Sequence, residues 1–189
     1  MMDDRVVIQR VLSGEPEAFA ELVRAHQVRV LRLCVSLLGD VTLAEDAAQE
    51  IFFKAYQALS SFRGQSTFST WLYRIAANRC LDLLRKRRRE PVESWDALIE
   101  ASGEPLHEAR SAQQDPKASI ANTELLQHAL AQLSPAYRLL LTLRELEGLS
   151  YQELAVTFHC SLDAVRARLR RARQALLAGC GKSHERSYS

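Results

Sequence analysis

GLSYQELAVTFHCSLDAVRARLRRAR, residues 148–173, reads as a short capped helix, a tight turn and a second helix crowded with arginine. Ser150 is placed to cap the first helix while Glu153, three residues on, reaches back to it, so that two orphan amides are satisfied reciprocally. After a break at Phe158-His159-Cys160, Ser161 caps a second helix in which Val165, Leu169, Ala172 and Leu176 recur at i, i+4, i+7 and i+11 and face a core. The outward face of that helix carries Arg166, Arg168, Arg170, Arg171 and Arg173, a row suited to phosphates and to the acceptor edges of guanine in a major groove. A merely solvated face mixes signs for i, i+4 support. Here only Asp163 is acidic between residues 161 and 178, and no glutamate stands four residues before any of these arginines. The pattern is a helix-turn-helix whose target is duplex DNA.

Composition agrees with an all-helical chain. In 189 residues there are only 7 glycines and 5 prolines, and no alternating Val/Ile/Thr run of strand character. No apolar stretch of about eighteen residues and no basic-then-apolar leader argues for membrane insertion or export, so a cytoplasmic address is expected. Cys34, Cys80, Cys160 and Cys180 form no C-x-x-C pair and read as reduced structural thiols. The net charge of +2 conceals a block pattern: residues 1–60 carry −3, 61–89 carry +7, 90–124 carry −6 and 125–189 carry +4. Two basic regions separated by an acidic one imply two nucleic-acid contacts joined by a tether.

Upstream of the quoted stretch, hydrophobic periodicity predicts three more amphipathic helices. Residues 15–38 align Phe19, Leu22, Val23, His26, Val30, Leu33, Cys34 and Leu37 on one stripe that Gly39-Asp40 ends. His26 falls on that stripe without a second ligand at metal spacing and is assigned to packing. Residues 42–60 repeat the pattern with Ala44, Ala47, Ala48, Ile51, Phe52, Ala55, Tyr56 and Leu59. A third helix, from about 68 to 88, buries Phe68, Trp71, Leu72, Ile75 and Ala76 before entering Arg85-Lys86-Arg87-Arg88-Arg89; Tyr73 and Arg74 lie off its stripe. Between residues 90 and 121 periodicity fades among prolines and acids, the composition of a flexible acidic linker. It resumes at Leu125, Leu126, Ala129, Leu130 and Leu133, and Ser134-Pro135 then supplies a cap and the residue best tolerated at a first helical position. The fold expected is two small helical domains: residues 1–89, the linker 90–121, residues 122–178, and a frayed tail from 179 to 189.

The 42–60 helix has a second face that its core stripe leaves unexplained. Asp46, Gln49, Glu50 and Phe53 fall outside at i, i+3, i+4 and i+7, and a phenylalanine among acids reads as a docking patch. The run Ala44-Glu45-Asp46-Ala47-Ala48-Gln49-Glu50-Ile51-Phe52, followed by Phe62-Arg63-Gly64, Phe68-Ser69-Thr70-Trp71-Leu72-Tyr73-Arg74-Ile75-Ala76 and Asn78, closely resembles region 2 of bacterial sigma factors. Leu133-Ser134-Pro135, Arg138, residues 146–155 and residues 165–173 resemble region 4 of the same family. The compact form is similar to the extracytoplasmic-function group, and the two blocks together span about residues 8 to 178. The chain departs from many relatives at Asp163-Ala164 and Ala167, near the reading end of the recognition helix, so a promoter sequence cannot be copied from them.

The resemblance implies a factor that binds core RNA polymerase through its beta-prime and beta subunits, directs it to promoter DNA, opens the duplex and catalyses no covalent step. It places Asp46, Gln49, Glu50 and Phe53 on the coiled coil of the largest subunit. It assigns the loop from Ser60 to Thr67, with Arg63 and Ser66, to a pocket for an extruded −10 base, and Asn78 to the edge of that base, where an amide both donates and accepts. Arg74, Arg79, Arg85, Lys86, Arg87 and Arg88 become phosphate contacts. The −35 element falls to Ser150, Tyr151, Ser161, Arg166, Arg168, Arg170, Arg171 and Arg173, with Arg166 and Arg170 first. The acidic linker follows the path that RNA later takes, and an anti-sigma protein is expected to regulate the factor in trans. A freestanding helix-turn-helix regulator is the alternative, but it leaves the first domain without a task. Gly181-Lys182-Ser183 is not a phosphate loop, because residue 176 is leucine where that motif needs glycine. His159, Cys160, Cys180 and His184 match no tight metal template, and no cofactor is expected.

Overall fold

The computed structural model describes residues 3–87, 130 and 133–185, with side chains described as far as Leu177. Arg88, the acidic linker and the periodic residues Leu125, Leu126 and Ala129 lie outside the described residues, as do the side chains of Cys180 and His184. Every regular element among the described residues is helical.

The first module opens with α1, Asp4–Leu12, which the periodicity reading did not include. The Asp3 carboxylate accepts from the Arg5 amide at 3.0 Å, and Val7 and Ile8 are buried. A short 3₁₀ turn, Pro16–Ala18, leads into α2, Phe19–Leu38. Gly39, in the left-handed conformation at φ 67°, ends α2 and returns its amide to the Val35 carbonyl, and Asp40 at once caps α3, Val41–Gln57, through the Leu43 amide. Three alanines of α3, Ala44, Ala47 and Ala55, are essentially inaccessible, and side chains this small let α2 and α3 approach closely. Tyr56, expected on the core stripe, is instead exposed, with its ring edge-on to Phe19 at 5.1 Å. Leu59 reaches the core from a 3₁₀ turn, Leu59–Ser61, after α3 has ended.

The last helix of the module, α4, Phe68–Arg87, buries Phe68, Trp71, Leu72 and Ala76 as its periodicity predicts. Phe62, Phe68, Trp71 and the His26 ring form one aromatic cluster with centroid separations of 5.3 to 5.9 Å. His26 accordingly packs, with Nε2 3.0 Å from Asp4. Cys34 on α2 and Cys80 on α4 meet in the core with sulfurs 3.6 Å apart; the hydrogen bond to Cys34, then burial, push the Cys80 thiol far up, so it stays protonated.

In the second module the Ser134 hydroxyl accepts from the Tyr137 amide, and Pro135 takes the first position of α5, Pro135–Leu141. A π turn, Thr142–Leu146, follows, and Gly148 at φ 73° reverses the chain. Then come α6, Tyr151–Thr157, and α7, Leu162–Glu185, joined through His159 at φ 48°. Histidine is among the side chains that adopt this left-handed conformation more readily. Leu139, Leu143, Leu154, Val165, Leu169 and Ala172 form the core. The α7 helix continues to Glu185, well into the segment read as a frayed tail.

The two modules pack against each other, α5 on α2 and α6 on α4. This burial on a second side of α4 explains a further correction. Tyr73, read as lying off the core stripe, is only 2% exposed because the second module covers it.

Candidate nucleic-acid interface

The reading helix is set by two caps. The Ser150 hydroxyl accepts from the Glu153 amide at 3.2 Å, and the Glu153 carboxylate accepts from the Ser150 amide at 2.8 Å, the reciprocal box expected for α6. Ser161 caps α7 through the Ala164 amide at 3.2 Å. Both hydroxyls are thus engaged in placing the helices. Tyr151 lies beneath the Arg144 guanidinium, 4.9 Å from its ring centroid.

Burial pushes the Glu153 carboxyl up, but hydrogen bonds from the Ser150 amide and hydroxyl and from Thr70 outweigh it, so its net shift is downward. A depressed carboxyl contributes stability that is present above the ordinary carboxylate pKa and lost as pH falls through its folded value. Glu153→Gln is therefore expected to lower the melting temperature at neutral pH, and the difference from the unaltered chain should shrink as pH falls through the depressed carboxyl's folded pKa, as read from the helical circular dichroism signal.

Along α7 the arginines divide. Arg166 and Arg173 are exposed, Arg170 and Arg171 are half-buried, and Arg168 is 3% exposed. Arg168, read as part of the outward row, is on the core side instead. It stands three residues after Val165 and four before Ala172, so it shares their stripe, and its guanidinium lies by Cys160. The periodicity itself carried that signal. The outward stripe is Arg166, Arg170 and Arg173 at i, i+4 and i+7. Arg166 is paired with Asp163 at 2.9 Å, and Arg173 is held by Glu145 of the π turn at 2.7 Å, the hydrogen bond that raises its pKa.

On the first module, α3 presents Asp46, Gln49 and Phe53 to solvent, with Phe53 63% exposed. Beside them runs an apolar groove of about 510 Å³ lined by Val23, Val28, Leu31, Ala48, Gln49 and Phe52. Glu50 of the same face is not free. It pairs with Arg79 of α4, whose side chain is 15% exposed. This pair ties α3 to α4 and takes Arg79 out of the set of open phosphate contacts.

After α3, Gly64 at φ 68° turns the loop between the short 3₁₀ turn and α4; Arg63 is exposed and Ser66 half-buried. Asn78, Lys86 and Arg87 are exposed, and Arg85 is paired with Asp82 at 2.8 Å. Arg74 reaches across to His159 Nε2 at 3.4 Å.

That contact belongs to an interface the sequence did not announce. The Glu147 side chain, 1% exposed, accepts from Tyr73 Oη at 2.8 Å and lies 3.3 Å from Arg32 and 3.9 Å from Arg29. The Tyr73 phenol is pushed well above its ordinary pKa by burial, then by its hydrogen bond to that carboxylate. Thr70 donates to Glu153 at 3.3 Å. Arg138 donates to the carbonyls of Ser36 and Leu37 at the end of α2, and to those of Leu130 and Leu133.

The same two modules appear in known proteins. The sigma-70 region 2 family matches residues 22–90, and the sigma-70, region 4 family matches residues 123–176. The RNA polymerase sigma-H factor of Pseudomonas aeruginosa is 39% identical over 176 residues, 92% of this chain and 91% of that protein. The ECF RNA polymerase sigma-E factor of Escherichia coli is 39% identical over 180 residues, 93% of each chain. Among solved structures, CnrH in complex with the cytosolic domain of CnrY is similar with a TM-score of 0.67 and 28% identity, covering 94% of this chain and 96% of that one. The sigma factor RpoE of Bartonella quintana, solved with the anti-sigma factor NepR, is similar with a TM-score of 0.64 and 25% identity, covering 85% of this chain and 95% of that one. This chain therefore belongs to the sigma-70 family, as a sigma factor of the extracytoplasmic-function type that acts in promoter-specific initiation of transcription.

Proposed function

We propose that the two modules divide the work of initiation, the first docking core RNA polymerase and holding the opened −10 strand, the second reading the −35 duplex. The observation that carries this is the placement of outward-facing donors, all exposed except the half-buried Arg170. Arg63, Asn78, Lys86 and Arg87 lie on the first module, and Arg166, Arg170 and Arg173 form a single stripe on the second. Two dissimilar basic surfaces suit a factor that contacts two separate elements and do not suit a self-complementary dimer on a palindrome. Promoter-stripe contacts from Arg166 and Arg170 read bases, while Arg74, Arg85, Lys86 and Arg87 hold phosphates and confer salt sensitivity without reading sequence. Arg168 and Arg79 support the fold.

Asp46, Gln49 and Phe53 dock the beta-prime subunit, with Phe53 as the apolar anchor and Asp46 facing a basic partner. Glu50 contributes through its hold on Arg79. Asp46→Lys is expected to weaken core polymerase binding by about ten-fold, since a like charge replaces an attractive one at a desolvated contact; fluorescence anisotropy of labelled protein against core enzyme measures it. The factor works in the cytoplasm, catalyses no covalent step and is regulated by an anti-sigma protein, in line with the NepR complex of the Bartonella quintana relative.

Multi-round transcription on fragmented genomic DNA, with core polymerase and with or without this chain, tests the whole reading. Discrete new starts sharing upstream −35 and −10 elements are the expected result. No new starts, with tight duplex binding by the protein alone, overturns it in favour of a freestanding regulator.

A further inference from the structure

We propose that Arg29, Arg32 and Tyr73 form a phosphate-binding site for the opened promoter strand, and that Glu147 of the second module occupies this site in cis while the two modules are folded together. The inference rests on the functional reading above and adds to it a site and a masked state.

The site is built from donors on two helices of the first module. Arg29 and Arg32 lie three residues apart on α2, one turn of the same face, and Tyr73 approaches from α4. Each Glu147 oxygen is met separately: Arg32 Nη1 is 3.3 Å from Oε1, while Tyr73 Oη at 2.8 Å and Arg29 Nε at 3.9 Å converge on Oε2. Two guanidinium groups and a hydroxyl converging on the oxygens of one anion is the donor set that a phosphodiester also satisfies. Both arginines remain about half exposed, at 57% and 51%, so they are held ready for an external anion and are not buried as structural ions.

Position supports the same conclusion. Tyr73 is followed on α4 by Arg74, and Asn78 lies about one turn further on, the face assigned to the −10 strand. The second module covers this face at three points: Glu147 on Tyr73, Glu153 on Thr70 and His159 on Arg74. Two of the three covering groups are carboxylates, standing where phosphates would stand. Elements centred at −10 and −35 lie about 25 base pairs apart, roughly 85 Å on a duplex rising about 3.4 Å per step. A compact body of this length measures roughly 40 Å across, so two modules held together by contacts of 2.8 to 3.4 Å fall short of reaching both. The closed arrangement must therefore part before promoter binding, and parting uncovers this site.

Two changes that both break the clamp separate the idea from a simple structural latch. In the full-length protein, Glu147→Gln, which keeps the size of the side chain, and Glu147→Ala are each expected to expand the radius of gyration measured by small-angle X-ray scattering. Each is also expected to tighten binding of a random-sequence single-stranded DNA of about 16 nucleotides by about ten-fold, the scale of one contact to a charged group. Arg29→Ala/Arg32→Ala should expand the protein equally but bring no gain in DNA affinity, and adding it to Glu147→Gln should abolish the gain. Circular dichroism confirms that each variant keeps its helices. The proposal is overturned if the Glu147 variants stay compact, if they open without a gain, or if the gain survives loss of both arginines. None of these measurements uses polymerase, so a failure here is distinct from a failure to direct transcription from promoters.

Discussion

Replacing Leu72 by alanine is expected to destabilise the first module by about 3 kcal/mol, within the usual range for a fully buried leucine. Leu72 has no exposed surface and belongs to α4, the helix that packs against α2, α3 and the second module at once. Its neighbours Phe68 and Trp71 are held in an aromatic cluster, so the site cannot collapse readily around a smaller side chain, and the cavity adds to the lost transfer energy. For a module of this size that amounts to a fall of roughly 12 to 24 °C in the first thermal transition, measured by differential scanning calorimetry. A fall of less than about 4 °C, corresponding to under 1 kcal/mol, would show that α4 is not the keystone of the module. Because α4 also carries Tyr73, Arg74 and Asn78, transcription should fail at lower temperature than for the unaltered chain.

The second large effect concerns sequence reading. Arg166→Ala/Arg170→Ala is expected to remove about 1 to 3 kcal/mol of base discrimination at each position that a bidentate arginine reads. The signature is flattening, not mere weakening. Systematic substitution across the −35 element should change affinity strongly for the unaltered protein and little for the double variant, measured as promoter competition in the presence of core polymerase. Arg168→Ala gives the internal contrast. Its side chain lies in the α7 core stripe beside Cys160, so it should lower the melting temperature and leave the base preference unchanged. If instead Arg168→Ala flattened the preference and the Arg166/Arg170 variant did not, the outward stripe would be the wrong reading head.

Much of this protein was written locally. Caps at Ser134, Ser150 and Ser161 and the stop at Gly39 each depend on a few adjacent residues, and all four fall where the sequence places them, while Asp40, read only as part of that stop, also caps α3. The core stripes of α2, α4 and α7 follow from helical spacing and needed no tertiary information. The α1 helix escaped because nine residues of mean polarity, with only Val7 and Ile8 deeply buried, give a periodicity too short to register. Tyr56 shows the opposite case: it keeps the phase of the α3 stripe, yet at the end of the helix it meets the edge of Phe19 and still stays 42% exposed. Arg168 is legible in the sequence, since the stripe that places Val165 and Ala172 inward also takes in position 168, where helical phase prevails over the usual outward preference of a cation.

Capping, periodicity and motif order are properties of neighbouring residues, and they suffice for an all-helical chain with a helix-turn-helix, for the phase of most of its helices, and for a family resemblance that assigns it to transcription initiation. The closure of the two modules on each other, with Glu147 held among Arg29, Arg32 and Tyr73, the tie of Glu50 to Arg79 and the burial of Tyr73 arise from the packing of the folded chain. Those pairings join residues that lie far apart in the chain. Whether a carboxylate meets solvent, an arginine of its own module or an arginine of the other depends on which surfaces come together, and no local pattern encodes that choice.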